Sequence, residues 1–295
     1  MEILVREVNS GNTYQLHDVF FLDDSIGFVS GGMRYDIGVL LKTTNGGQSW
    51  SAFDSIIPKC AYASYFFSEA EGYIVGFDSW LAYTNDSCKS FGSGTGNYTP
   101  INDISFIDRK HGLMVDGAGY AVGHILYTAD GGANWNSTDY QNNLRAVQYT
   151  DSNTAYASGY GVIYKSINAG QSFFPLDARG DFFVAMDFPS ASTGYFAGYQ
   201  GMILKTTDGG NSFSKIHYGN TFFEKREHFE GIDFWDNHIG YVVGDEGEML
   251  HTTNGGESWQ RVRSFTDVNL RDIHLFSATS GIIVGDNGKI FLFKE

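Results

Sequence analysis

Thr43-Thr44-Asn45-Gly46-Gly47-Gln48-Ser49-Trp50 is the first of six copies of one segment. The others occupy 84–91, 128–135, 166–173, 206–213 and 252–259. Asn45, Asp86, Asp130, Asn168, Asp208 and Asn254 hold the same place in each copy, at spacings of 41, 44, 38, 40 and 46 residues. Ser or Thr always stands two residues earlier, and Trp or Phe five residues later. Gly stands two residues later in every copy but the second, which has Cys88. A period averaging about 42 in a chain of 295 residues implies seven units.

Each unit reads the same way around its box. An apolar alternation such as Asp103-Ile104-Ser105-Phe106 comes first, then a short run between small residues such as Gly240 to Gly244. A third run, such as Met202-Ile203-Leu204-Lys205, leads into the box, and a fourth short strand starts at its aromatic. Four short strands per unit is the cadence of a propeller blade. The seventh unit, 270–295, reads as three strands only. Its outer strand is expected from Glu2-Ile3-Leu4-Val5-Arg6-Glu7-Val8, which closes the ring and removes the exposed edges. The expectation is all-β: one seven-bladed β-propeller domain over residues 1–295, closed by the N-terminal strand.

The box has a structural reading. An Asp or Asn side chain accepts hydrogen bonds from the N–H groups of a tight turn, the following Gly permits positive φ, and the aromatic anchors the turn. It is not a calcium loop, because such a loop needs several carboxylates and three of the six positions are Asn. Boxes at the third-to-fourth-strand turns would share one face of the disc. The opposite face then carries the second-to-third-strand loops and the channel mouth. Aligning the seven innermost strands puts His17, Tyr62, Asn102, Arg145, Val184, Glu230 and Arg271 in one ring at that mouth. The next position is nearly uniform: Asp18, Ala63, Asp103, Ala146, Ala185, Gly231 and Asp272. The varied ring is the candidate recognition surface, with Arg145 and Arg271 expected to draw in an anionic group such as a peptide terminus. The competing expectation is that each Arg pairs with a nearby Asp such as Asp103 or Asp272. Long loops add Arg34 and Tyr35, Tyr120, and the mixed segment Phe222, Phe223, Lys225, Arg226 and His228 as further candidates.

Composition narrows the function classes. Lys plus Arg is 19 against 34 Asp plus Glu, a net charge of −15, which disfavours nucleic acid and anionic membranes. No run reaches the ~18 apolar residues of a membrane-spanning helix. Cys60 and Cys88 are expected at opposite ends of one blade, too far apart to bridge, as two small buried hydrophobes. The His residues form no HxxxH or HExxH pair, so no metal is expected, and no motif calls for a cofactor. The loops Asp245-Glu246-Gly247-Glu248 and Asp286-Asn287-Gly288 are acidic, read as solvated turns rather than paired catalytic carboxylates.

The segments around Asp208 and Asn254 resemble the Asp-box (BNR) repeat. The longer stretch from Gly240 through Gly256 is similar to the photosystem II stability/assembly-factor family. That resemblance covers Leu16 to Glu295. It implies a seven-bladed propeller, a non-catalytic protein-binding scaffold, and export to the periplasm or cell exterior. Family members are said to use an Arg patch, whereas the nine Arg here are scattered. The partner is therefore not carried over, and a non-photosynthetic bacterial relative is expected. No signal peptide is read, since Met1-Glu2-Ile3 starts directly in a strand. A monomer is expected. The alternative is a carbohydrate-active protein, lectin-like or related to glycosidases and sialidases. Sialidases share the box but pair it with six blades and an Arg-Ile-Pro segment, which is absent here. A glycoside hydrolase is the least unlikely enzyme class, and an oxidoreductase has no support in the sequence.

Overall fold

The computed structural model describes residues 3–33, 35–53, 57–95, 99–218 and 227–295, with the side chains of 93–95 left aside. It contains seven four-stranded antiparallel sheets. The innermost strands, blade 1 to blade 7, are Gln15–Phe21, Ala61–Phe66, Ile101–Phe106, Leu144–Tyr149, Phe183–Asp187, Phe229–Phe234 and Leu270–Ser277. The second strands of blades 2, 4, 5 and 6 are buried along their whole length. Each sheet is covered on both faces by its neighbours, so alternate residues enter different inter-blade cores. Val29 and Leu41 of blade 1 pack with Ile282 and Val284 of blade 7, while Phe28 and Leu40 pack with Ile74 and Ala82 of blade 2. Apolar residues on both sides of a strand leave no face for water.

Blade 7 is completed by the N-terminus, as the strand count requires. Leu4–Asn9 pairs antiparallel with Lys289–Lys294, from Leu4↔Lys294 to Asn9↔Lys289. Lys289 Nζ meets Glu7 Oε1 at 2.6 Å, and Ser10 Oγ donates to the Gly288 carbonyl at 2.6 Å.

The boxes form the third-to-fourth-strand turns, held by two side chains. In the first, Asn45 Oδ1 accepts from Thr43 Oγ1 at 2.9 Å and from the Ser49 N–H at 3.0 Å. Thr43 Oγ1 in turn accepts the Gly47 N–H at 3.0 Å, with Gly47 at φ 76°. Cys88 adopts φ 61° in Gly's place and keeps the same bond to Thr84 at 3.0 Å. The buried indole nitrogens of Trp50, Trp135 and Trp259 meet no hydrogen-bond partner among the described residues. The turn needs the ring rather than its N–H, which explains why Phe serves in the other three copies. Cys60 and Cys88 are both buried free thiols.

Blades 4 and 5 also support the box of the next blade. Tyr156 Oη and Lys165 Nζ of blade 4 both donate to the Gly209 carbonyl of the blade 5 box, at 2.8 and 2.6 Å. Tyr195 and Lys205 of blade 5 repeat this on Gly255 of the blade 6 box, at 3.4 and 2.7 Å. Tyr241 and His251 of blade 6 are the equivalent pair, stacked with centroids 4.2 Å apart. Blade 7 carries no box among its described residues, and the Tyr241 hydroxyl and His251 Nε2 are buried without partners.

Two expectations follow from these contacts. Deleting residues 1–9 should expose the edge of Lys289–Lys294 and lower the melting temperature by many degrees or cause aggregation; a melt within a degree or two of the parent would contradict ring closure. Tyr156→Phe should cost about 1 kcal/mol in denaturant unfolding, whereas Tyr241→Phe should be neutral or slightly stabilising, because its hydroxyl has no bond to lose.

Candidate functional site: the channel mouth

Every innermost strand carries a β-bulge at the same point. In blade 1, Leu16 opposes Gly31 and Asp18 opposes Ser30, so the register skips His17. The register shifts of the other six blades skip Tyr62, Asn102, Arg145, Val184, Glu230 and Arg271. A bulge leaves one residue unpaired and re-aims its side chain. All seven bulged residues line one cavity of about 690 Å³ at the mouth of the channel. The structure thus brings together the whole ring aligned from the sequence, and supplies the reason: these positions escape the packing that fixes their neighbours. Close approach fixes the partner strand as well. A Cβ at Gly76 would collide with the Cys60 carbonyl, and one at Gly244 with that of His228.

Around the ring the chemistry changes by sector. His17 and Tyr62 meet edge to face at 5.2 Å, and Asn102 Nδ2 donates to the Leu144 carbonyl at 2.6 Å. Arg271 is held in place rather than free. Its Nε and Nη2 reach Asp286 at 2.9 and 3.0 Å, Nη1 reaches Glu230 at 3.2 Å, and Asp245 lies 3.9 Å away. Of the two sequence expectations for Arg271, pairing with a nearby Asp is the one met. It is not an open anion receptor, and its partners are Asp286 and Glu230 rather than Asp103 or Asp272. The acidic turns of blades 6 and 7 are accordingly more than solvated loops, because Asp245 and Asp286 close around this guanidinium. Arg145 makes no ion pair within 4 Å among the described residues; its guanidinium lies over the Phe182 ring at 5.9 Å. Burial pushes the Glu230 carboxyl upward, and Arg145 and Arg271 pull it back.

Of the remaining candidates, Arg34, Phe222, Phe223, Lys225 and Arg226 lie outside the described residues. Tyr35 is exposed at the blade 1 hairpin tip with φ 74°, its ring 4.7 Å from that of Phe77, which lines the cavity. The His228 ring meets Tyr199 at 4.4 Å. Among the described residues no group of three or more His, Cys, Asp or Glu could hold a metal ion, and no helix is long and apolar enough to cross a membrane.

Below the mouth, carboxylates tie blade to blade. Asp272 accepts the Val19 N–H at 2.9 Å and Asp103 the Val147 N–H at 2.7 Å. Two residues further along the strands, Asp187 accepts from the Phe234 N–H at 2.9 Å and Asp233 from the Leu275 N–H at 2.7 Å. Asp18 accepts from Ser64 Oγ at 2.7 Å. The channel leaves each carboxylate a sliver of accessible surface, but protein crowds every other side. That burial lifts Asp18 to about 7 against its bonds to Ser64 and Ser30, and Asp103 to about 7 against the N–H groups of Val147 and Ile104. Asp272 is likewise held well above the usual carboxylate range by burial and by the charge of Asp18.

A native pKa above the unfolded value means that the folded state binds the extra proton. The stability this contributes is present below about pH 4 and lost as pH rises through about 7. His274, lowered to about 4 by burial, acts in the opposite sense between about 4 and 6.5. The readout is therefore a difference. The melting temperature of the parent relative to Asp18→Asn should fall as pH rises from 5 to 8; a constant difference would contradict a shifted Asp18.

Residues 175–266 match the family model described as photosynthesis system II assembly factor YCF48. No curated protein sequence matches the chain. Among solved structures, one described as YCF48 bound to D1 peptide superposes with a TM-score of 0.77 at 19% identity, covering 100% of this chain and 97% of the other. YCF48 from Cyanidioschyzon merolae gives 0.74 at 16% identity, covering 98% of each chain. The WD40 β-propeller domain of Doa1 gives 0.73 at 12% identity, covering 99% of this chain and 98% of the other, so likeness at this level speaks for the fold alone. The chain is therefore a seven-bladed β-propeller, of which residues 175–266, over blades 5 and 6, are similar to a photosystem II assembly factor.

Proposed function

We propose that this protein is a non-catalytic, monomeric assembly scaffold that binds a segment of a partner protein at the channel mouth. In this reading it is a relative of the photosystem II assembly factors from a non-photosynthetic bacterium and works outside the cytoplasm. The observation that carries the reading is the bulge ring. Seven equivalent positions, freed from strand pairing, present imidazole, phenol, amide, guanidinium, isopropyl and carboxylate groups around one opening. A uniform ring would suit packing, whereas a varied one suits recognition. The peptide-bound propeller of the same fold is consistent with this use of the architecture.

A second reading, a carbohydrate-active protein, draws on the exposed rings of Tyr120, Tyr160 and Tyr199 near the mouth, since sugars stack on such faces. One set of variants separates the two. Arg145→Glu should abolish capture of the partner from the native envelope fraction while leaving the melting temperature within about two degrees. Arg271→Glu should itself destabilise the fold by about 3 kcal/mol, because it strands Asp286 and Glu230. A clear glycan-array ligand lost in Tyr120→Ala, with partner capture unaffected by Arg145→Glu, would favour the sugar reading.

A further inference from the structure

Two rim hairpins of the mouth are long, those of blades 1 and 3, and the one on blade 3 stands beside the short hairpin of blade 4. The second and third strands of blade 3, Gly112–Ala118 and Val122–Thr128, are seven residues each, against five in Ala155–Gly159 and Val162–Ser166 of blade 4. The longer hairpin stands above the face. Its tip, Ala118-Gly119-Tyr120-Ala121-Val122, is uncharged and exposed, with Tyr120 at 73%. From this tip a line of groups descends into the channel. The Tyr120 ring meets Tyr160 at 5.0 Å, Tyr160 meets Phe182 edge-on at 5.7 Å, and the Arg145 guanidinium lies over Phe182.

The line is pinned along its length. Asn143 Nδ2 donates to the Gly119 carbonyl at 2.8 Å, and the Tyr160 N–H donates to the Asn143 carbonyl at 2.8 Å. Asn142 Nδ2 donates to the Tyr160 carbonyl at 3.0 Å, and Tyr160 and Phe182 form a backbone bridge. Exposed rings fixed in this way need little ordering when they are covered, which is the property of binding anchors. Charge sets the other requirement. Arg145 has no ion pair among the described residues, while the far side of the mouth, on blades 6 and 7, carries Asp245, Glu246 and Asp286. A ligand carboxylate is repelled there and drawn to Arg145.

We propose that Tyr120, Tyr160, Phe182 and Arg145 form a docking ledge for a short extended peptide segment that carries an aromatic or large apolar side chain a few residues from a carboxylate. This rests on the scaffold reading above and names the chemistry of its partner. The apolar side chain lies on the tyrosines at the rim, and the carboxylate meets Arg145 inside the mouth. Tyr199, on the next turn, extends the same row but faces His228 instead.

The probe is a phage-displayed random heptapeptide library selected on the intact protein. The expected outcome is enrichment of sequences pairing an aromatic or large apolar residue with Asp or Glu. On Arg145→Ala the acidic preference should vanish, and on Tyr120→Ala/Tyr160→Ala the aromatic preference should vanish, each with at least tenfold weaker binding of the enriched peptide. Both variants alter exposed or half-exposed groups, and a melting temperature near that of the parent confirms the fold. Synthetic enriched peptides with free-acid or amidated C-termini tell a terminal carboxylate from an acidic side chain. Enriched sequences that are basic, or that bind the ledge variants undiminished, overturn the ledge. If such binding is still lost on changing Tyr62 or Asn102, the scaffold reading survives without it. No peptide enriched on any face overturns both.

Discussion

A four-stranded sheet with apolar residues on both faces cannot exist alone in water. Each blade of this protein meets that condition: Tyr156, Tyr195 and Tyr241 point one way from their second strands and Phe196 and Val242 the other, all fully buried. Stability is therefore a property of the closed ring, and closure falls to six residues, Leu4–Asn9, separated by almost the whole chain from the strand they pair with. The box turns are a consequence. A blade whose edge turn is tied by Asn45 or Asp208 can offer a fixed carbonyl to its neighbour, and the Tyr and Lys side chains of blades 4 and 5 use it. The joint between blades 6 and 7 has no box to hold and leaves Tyr241 and His251 unsatisfied, a local cost absorbed by the rest of the ring.

The same geometry creates the site. Seven innermost strands crowd toward one axis, and each relieves the crowding with one bulge at its start. The bulged residue leaves the ladder and turns toward the channel. Just below it, space allows only Ala, Gly or an Asp that bonds across to the next blade. The packed layer is thus nearly uniform, while the layer one residue above it varies, with Arg271 alone among its two Arg tied into the fold by ion pairs among the described residues.

That contrast explains how much of the molecule was legible beforehand. The box could be read because turn chemistry is local, with Thr43, Asn45, Gly47 and Trp50 carrying their own geometry. Ring closure could be read because seven units with only three strands in the last leave one strand to find. The mouth ring could be aligned by repeat position, although the bulge behind it leaves no mark in the sequence. What the sequence hid are contacts between units. The sequence left Arg271 open between an anion receptor and a paired group because its partners, Asp286 and Glu230, lie 15 and 41 residues away in other strands and turns. The row from Tyr120 to Arg145 joins three blades and has no periodic signature. Arg145 and Arg271 look identical in the alignment, and only the side chains around them separate a guanidinium lying over the Phe182 ring from one held by carboxylates.

The central claim is that recognition happens at the bulge ring and not at the outer edges, where a propeller also offers strands. Site-specific photocrosslinking tests it most directly, with a benzophenone side chain in place of Tyr62 at the mouth or of Ser137 on the exposed outer strand of blade 3. The account predicts a crosslink to the partner from position 62 and none from position 137. Crosslinking from 137 alone would contradict it.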